Sequence, residues 1–258
     1  MLSVAIITRN EEVNLARTLA SVRFADEVVV VDSHSTDRTA EIARLFGATV
    51  IARDWKGFAE QKNFAINQCG GEWILSLDAD EELTAELGAE IQALIAGEAK
   101  FDAYFINRRN YFLGRWTKYG GYYPDSKLRL FRRVPLSGDA APRFAERPVH
   151  ETIAFSGATA SLQCDLKHYS YPTLEEYIEH MNRYSTLGGE LLVAKGRTSA
   201  GALSFVGNVL LVPVLTFFWN YWFRLGFLDG REGLMMHLYH SAYISWKYGK
   251  AWSSSRSA

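Results

Sequence analysis

The chain is poor in the features that mark several large functional classes. Its 258 residues include two cysteines, Cys69 and Cys164, far apart and without a C-x-x-C pair, which argues against a zinc site or a disulfide framework. Charge is nearly balanced, with 28 Lys and Arg against 29 Asp and Glu for a net of −1, so nothing in the total points to nucleic acid. There is no G-x-G-x-x-G and no G-x-x-x-x-G-K-[ST], which removes the dinucleotide fingerprint and the Walker loop. His150 and Glu151 stand together, but Ala154 follows where a zinc-protease helix H-E-x-x-H needs its second histidine. Residues 1–12 are too short and too soon acidic for a signal peptide, and a cytosolic chain is expected. Charge is missing altogether from Thr198 to Phe223.

What is there is a regular alternation. Leu2–Thr8 is a short β-branched run read as a strand, and Asn10 is the expected N-cap of a helix carrying Val13, Leu15, Ala16, Leu19 and Val22. Glu27–Val31 reads as a strand buried on both faces, as in a parallel sheet, with a helix over 38–46 capped by Asp37. A strand at Ala48–Ala52, a helix at Gln61–Asn67 and a strand at Trp73–Leu77 follow. Strand alternating with helix through short polar links predicts an α/β fold with a doubly wound sheet.

The centre of the chain is Trp73-Ile74-Leu75-Ser76-Leu77-Asp78-Ala79-Asp80-Glu81-Glu82, an apolar run ending in acids. Residues two apart on an extended backbone share a side, so Asp78 and Asp80 project together from the strand's C-terminal end, where open α/β sheets bind ligands. Two hard carboxylates suit Mg²⁺ or Mn²⁺, and the cation suits a diphosphate. A solvated turn leading into a helix capped by Thr84, with Glu86 in its first turn, fits the same residues.

I-I-T-R-N-E-E (Ile6–Glu12), V-V-D-S-H-S-T-D (Val30–Asp37) and L-D-A-D (Leu77–Asp80), in that order after successive strands, resemble an inverting family-2 glycosyltransferase with the GT-A fold. W-T-K-Y-G-G-Y-Y-P-D-S-K-L-R-L-F-R-R and P-V-H-E narrow the resemblance to lipopolysaccharide-core β-glucosyltransferases of the bacterial envelope. The resemblance implies a UDP-sugar donor, with Thr8, Arg9 and Glu11 beside the uracil, Asp32 on the base, Asp78 on the ribose and Asp80 on the metal. Arg9 stands where many relatives carry an aromatic residue, so stacking there uses the guanidinium plane. It further implies Glu151 as general base, a metal contact from His168, and a glycolipid or lipopolysaccharide-core acceptor.

Residue chemistry leaves alternatives beside each of these. Asp32 suits the imide N–H of uracil or the capping of its own turn. Lys62 and Asn63 suit the nucleotide edge or a solvated helix face. On the expected strand Leu128–Phe131, Arg129 or Arg132 reaches the diphosphate while Leu128 and Leu130 enter the core. Arg108 and Arg109, at the end of the strand Tyr104–Arg108, suit surface charges or acceptor contacts, and the surface is expected. Trp116, Tyr119, Tyr122 and Tyr123 suit sugar faces and hydroxyls, or a packed lid. Either Glu151 or His150 can take an acceptor proton. His168 as a lone histidine is equally at home as a structural residue.

The chain is expected to divide into a glycosyltransferase domain at 1–170 (nucleotide-sugar binding in 1–100, acceptor and catalysis in 101–170), a helical, aromatic-rich extension at 171–252 and a disordered tail at 253–258. A capping box at Thr173–Glu176 opens a helix through Tyr184. Thr198–Phe223 is long enough to span a bilayer, but Pro213 is expected to split it into two helices lying in the membrane interface. Burial in a core and a true span are its alternatives. The expectation is thus a cytoplasmic enzyme at the inner face of the cytoplasmic membrane. A sugar-1-phosphate nucleotidyltransferase and a non-catalytic nucleotide-sugar binder are the rival readings. The first lacks its glycine-rich loop, since Ile6–Glu12 contains no glycine.

Overall fold

The computed structural model describes residues 1–136, 142–145, 152–155 and 157–256. The chain forms two compact units, Met1–Arg108 with Asp125–His168, and Arg109–Pro124 with Tyr169–Ala258. Residues 109–124 thus fall in the same unit as the C-terminal helices.

In the first unit, β1 (Leu2–Thr8), β2 (Glu27–Asp32), β3 (Thr49–Ala52) and β4 (Trp73–Asp78) run parallel in the order β3-β2-β1-β4. The sheet continues through β8 (Asp125–Arg132), β6 (Ala103–Phe112), β12 (Leu166–Tyr171) and β5 (Glu81–Leu83), with β4–β8, β8–β6 and β12–β5 antiparallel. A short β11 (Thr159–Ser161) pairs parallel with β6. The period of two sorts the side chains. Leu2, Val4 and Ile6 join one core with Val30, Leu75 and Leu77. Ala5 and Ile7 join another with Val29, Val31 and Ile74. Helices α1 (Leu15–Ser21) and α4 (Ala85–Ala96) cover the first face, and α3 (Phe58–Gln68) the second; α2 (Thr39–Leu45) precedes β3.

Two of the helix starts expected from capping residues, at Asn10 and Thr84, come out differently. Helix α1 begins at Leu15, four residues later than Asn10 suggests. Asn10 sits at φ 56°, and its side-chain oxygen accepts from the Thr36 backbone N–H at 2.8 Å. Glu11 N–H donates to the Thr39 hydroxyl at 2.7 Å. The loop after β1 is therefore tied to the loop after β2, and Val13 is left 80% exposed. Thr84 caps α4 as expected, accepting from Leu87 N–H.

The second unit contains the end of β6, which pairs with β7 (Arg115–Trp116), and three helices: α5 (Leu174–Ala194), α6 (Ala202–Phe223) and α7 (Gly230–Ser254). Thr173 caps α5, which runs well beyond Tyr184. Pro213 does not break α6. A π-turn at Gly207–Leu211 precedes it, and such a turn relieves the clash that proline makes with the preceding turn. The carbonyl of Val209, whose α-helical partner would be the hydrogen-less nitrogen of Pro213, accepts from the Ser245 hydroxyl of α7 at 2.8 Å. Ser241 donates to the Pro213 carbonyl at 2.7 Å.

Candidate active site

Parallel pairing brings Thr8, Asp32 and Asp78 to one sheet edge. Thr8 lies opposite Asp32 and Ile7 opposite Asp78, so β1, β2 and β4 end together. Asp32 is buried and serves its own turn, accepting from the Ser35 N–H at 3.0 Å and from the Ser35 hydroxyl. Among the described residues the buried Thr8 hydroxyl finds no hydrogen-bond partner, nor does the amide oxygen of Gln61, whose nitrogen donates to Ser33. A buried unpaired hydroxyl carries a desolvation cost that a ligand donor or acceptor would remove. Arg9 is exposed, and Glu11 accepts from the Asn14 side chain at 2.9 Å.

Around the D-x-D turn the side chains form a buried ladder of charge. Both oxygens of Asp78 are paired: Oδ1 with Lys62 Nζ at 2.7 Å, Oδ2 with Arg129 Nη2 at 2.6 Å. Arg129 also pairs with Glu81, which is fully buried. Arg108 reaches Glu81 at 3.4 Å and grips Asp125 at 2.6 Å. Burial disfavours a charged Asp78, but Arg129 and Lys62 outweigh it and hold its carboxyl well below the usual range. Lys62 is thus a buried ion-pair partner and not part of a solvated face, with its ammonium over the Phe144 ring. Arg129 turns to the carboxylates beside it, and Leu130 enters the core as expected. Arg108 belongs to this ladder and not to the surface, because Asp125 and Glu81 lie within its reach.

Asp80 stands apart from the ladder. Its Oδ2 lies 3.3 Å from His168 Nε2, with side chains 23% and 15% exposed. Burial again opposes its ionisation, and His168 overcomes that to lower its carboxyl. The antiparallel register His168↔Glu81 brings the histidine there. Among the described residues no group of three His, Cys, Asp or Glu is poised for a metal. Asp80 and His168 offer one hard oxygen and one imidazole nitrogen, while Asp78 is occupied by cations. That pair fits an ion that keeps few protein ligands and fills its shell from phosphates and water, the habit of Mg²⁺.

His150 and Glu151 lie outside the described residues. The strands flanking them, β9 (Arg143–Ala145) and β10 (Thr152–Ala154), pair antiparallel. Asn63 fastens β9 to α3: its amide donates to the Phe144 carbonyl at 2.9 Å and accepts the Phe144 N–H at 2.8 Å. Asn63 therefore serves the strand and not the nucleotide edge.

Within the second unit, Trp116 and Tyr123 meet edge to face at 5.4 Å, with Arg109 and Lys118 over the indole. The same segment is held to the C-terminal helices. Tyr119 N–H donates to the buried Asp229 carboxylate at 2.8 Å, and Gly120 N–H to the Arg224 carbonyl at 2.8 Å. Gly120, at φ 68°, has the His237 ring where a Cβ would lie. Tyr122 packs against His237, and burial raises its phenol. The segment combines a packed base with Trp116 and Tyr119 partly exposed.

Glu81, Arg108, Thr18 and Gln61 were not among the expected functional residues. Glu81 carried a signal, being the third acid of D-A-D-E. The other three are named only by tertiary contacts.

A model of the glycosyl transferase family 2 matches residues 3–145, from β1 to β9. An uncharacterized glycosyltransferase of Rickettsia typhi is 34% identical over 210 residues, 76% of this chain and 69% of its own length. The lipopolysaccharide core biosynthesis glycosyltransferase LpsC of Rhizobium meliloti is 32% identical over 207 residues, 76% of this chain and 73% of its own. The crystal structure of S. aureus TarS 1–349 in complex with UDP covers 99% of this chain and 91% of that one at 17% identity and a TM-score of 0.47, a likeness too distant to bear on the site. The family match spans the parallel half of the sheet and the acids at its edge, in the GT-A arrangement expected from the motifs, and the chain belongs to glycosyl transferase family 2.

Proposed function

We propose that this glycosyltransferase moves a hexose, with glucose favoured, from a UDP-sugar to a glycolipid or lipopolysaccharide-core acceptor, with inversion. The observation that carries the reading is the Asp80–His168 pair, partly exposed beside an Asp78 already neutralised by Lys62 and Arg129. Thr8, Arg9, Glu11 and Asp32 take the uracil and Asp78 the ribose, with Lys62 and Arg129 backing the nucleotide from beneath. Asp80 and His168 would hold Mg²⁺ or Mn²⁺, which when bound offsets the charge that builds on the leaving diphosphate. Glu151 takes the proton of an acceptor hydroxyl, or His150 does. The freed oxygen forms a bond to the anomeric carbon from the face opposite the bond to phosphate, which breaks and releases UDP. Trp116, Tyr119, Tyr122 and Tyr123 line the acceptor. Family membership sets the nucleotidyltransferase alternative aside.

The same proposal places the enzyme at the inner face of the cytoplasmic membrane. Helix α6 is 22 residues long, is apolar enough to cross a membrane, and is only 6% buried in its most apolar window. That exposure argues against the core alternative. Leu210, Leu215, Phe218, Trp219, Trp222 and Phe223 are all exposed. Trp, Tyr and flanking basic residues favour the headgroup level.

The test is a panel of UDP- and GDP-sugars with Mg²⁺ or Mn²⁺, scored for protein-dependent hydrolysis and for transfer to a lipopolysaccharide-core fragment. A product β-linked from UDP-glucose is expected. Tight UDP binding with no transfer to any acceptor would favour the non-catalytic binder instead.

A further inference from the structure

Every residue of the turn Asp78-Ala79-Asp80-Glu81 is tethered. Glu81 Oε2 accepts the Asp78 backbone N–H at 3.0 Å. The Ala79 carbonyl accepts from the Thr18 hydroxyl at 2.7 Å. Asp80 meets His168, which β12 places opposite Glu81. Glu81 thus holds Asp78 twice, directly at the main chain and through Arg129 at the carboxylate, since Arg129 Nη2 bonds both acids.

The shape of the turn does not require a charge there. A glutamine would accept the same N–H, and a fully buried carboxylate is costly to desolvate. What only a carboxylate supplies is compensation. Asp78, Glu81 and Asp125 balance Lys62, Arg108 and Arg129, with Lys127 reaching Asp125 from the half-exposed side. Removing the charge of Glu81 leaves one cation in excess beneath Asp80. An excess cation attracts a diphosphate and repels a divalent ion, so its effects on the two have opposite signs.

We infer that Glu81 is a positioning residue that acts through Arg129 and the turn: it cancels the buried cations, so that the Asp80–His168 pole accepts a divalent ion alongside the diphosphate. This inference rests on the proposed UDP and metal site. Its test is calorimetry of UDP binding with and without Mn²⁺ for the wild type, Glu81→Gln, and the charge-balanced pair Glu81→Gln/Arg108→Met, which removes a ladder cation with no proposed contact to the nucleotide. In Glu81→Gln the metal-dependent gain in UDP affinity is expected to shrink about tenfold or more, while metal-free affinity stays level or rises. In the pair, the gain should return to within about threefold of wild type, because the charge balance is restored and the introduced amide carbonyl still accepts the Asp78 N–H. A single variant that keeps the full gain overturns the inference. So does a single variant weakened equally with and without metal, or a pair that does not recover. Should Glu81→Gln fail to fold, the pair decides alone. A wild type that binds no UDP in either condition would instead bring down the proposed function.

Discussion

In the first unit, Asp78, Glu81, Lys62, Arg108 and Arg129 are largely withdrawn from water and matched charge against charge. In the second, beside the buried Asp229, neutral polar groups are withdrawn without partners: both ring nitrogens of His237 and the hydroxyl of Tyr177 are buried with no hydrogen-bond partner among the described residues. The second unit also turns Leu203, Leu215, Trp219, Trp222 and Phe223 outward on α6. Desolvating charge is costly and is repaid only by good geometry. A ladder of this kind belongs where orientation matters more than stability. Exposed apolar helix, by contrast, gains nothing in water and much against lipid. Charge changes in the first unit should therefore alter chemistry, and apolar changes in the second should alter location.

The largest effect is expected at Asp80. Asp80→Ala should abolish transfer and remove most metal-dependent UDP affinity. Folding should survive, because the carboxylate lies outside the apolar cores and its ion pair is with His168. Calorimetry of UDP with and without Mn²⁺, beside a thermal melt, checks both halves. Full metal-dependent binding in the variant would end the metal assignment. Glu151→Gln comes next. It keeps the size of the side chain but cannot take a proton, so a loss of about two to four orders of magnitude in turnover is expected with donor binding nearly unchanged. Near-normal turnover would move the role to His150.

The comparison sharpens when the second unit is attacked at its outer face. Each exposed aromatic contributes on the order of 1.5–3 kcal/mol when buried in an apolar medium. Trp219→Ser/Trp222→Ser should therefore release the enzyme from anionic liposomes in a flotation assay, while turnover of a soluble acceptor fragment persists. Unchanged flotation would sink membrane docking. Unfolding in detergent-free buffer would show instead that these aromatics belong to a protein contact.

Acid should separate the units in the opposite sense. Burial, with Arg224 beside His237 and with His237 and Lys247 beside His240, pushes both imidazoles down to about 4. The unfolded chain binds these protons near pH ~6.5. Stability from keeping them neutral is complete above that value and is lost as pH falls toward 4. Asp78 and Asp80 are held low, so their contribution persists until more acidic conditions. Melting followed from neutral pH down to about 4 should show the C-terminal helices weakening first. A flat profile across that window would contradict the burial of the two histidines.

How far the sequence was legible follows the same division. Local rules placed β1 through β4, Thr84 and Thr173, because strand runs and caps are decided by neighbours in the chain. The D-x-D acids were visible for the same reason. Arg108 was misplaced at the surface because its partner Asp125 is brought opposite only by the β6–β8 ladder. Asn10 failed as a cap because Thr36, on another loop, claims its side chain. Nothing local in 109–124 announces that its backbone N–H groups at Tyr119 and Gly120 bond to Asp229 and Arg224. Pro213 was read as a break because the rescue of its freed carbonyl lies on α7, 36 residues away.

That rescue supplies the smallest and most specific expected effect. Ser245→Ala removes the donor to the Val209 carbonyl at a cost of about 1–3 kcal/mol if the carbonyl stays buried, or roughly 2–4 °C in melting temperature for each kcal/mol in a chain of this size. The loss alone would not distinguish a hydrogen bond from general packing. Pro213→Ala makes the distinction, since an alanine at 213 restores the backbone N–H that an α-helix would offer to Val209. In that background the Ser245 hydroxyl has nothing left to repair, and Ser245→Ala should cost markedly less. A double-mutant cycle on melting midpoints measures the difference directly. Strictly additive effects would mean that Ser245 only fills space, and that α6 passes through Pro213 on the strength of its π-turn alone.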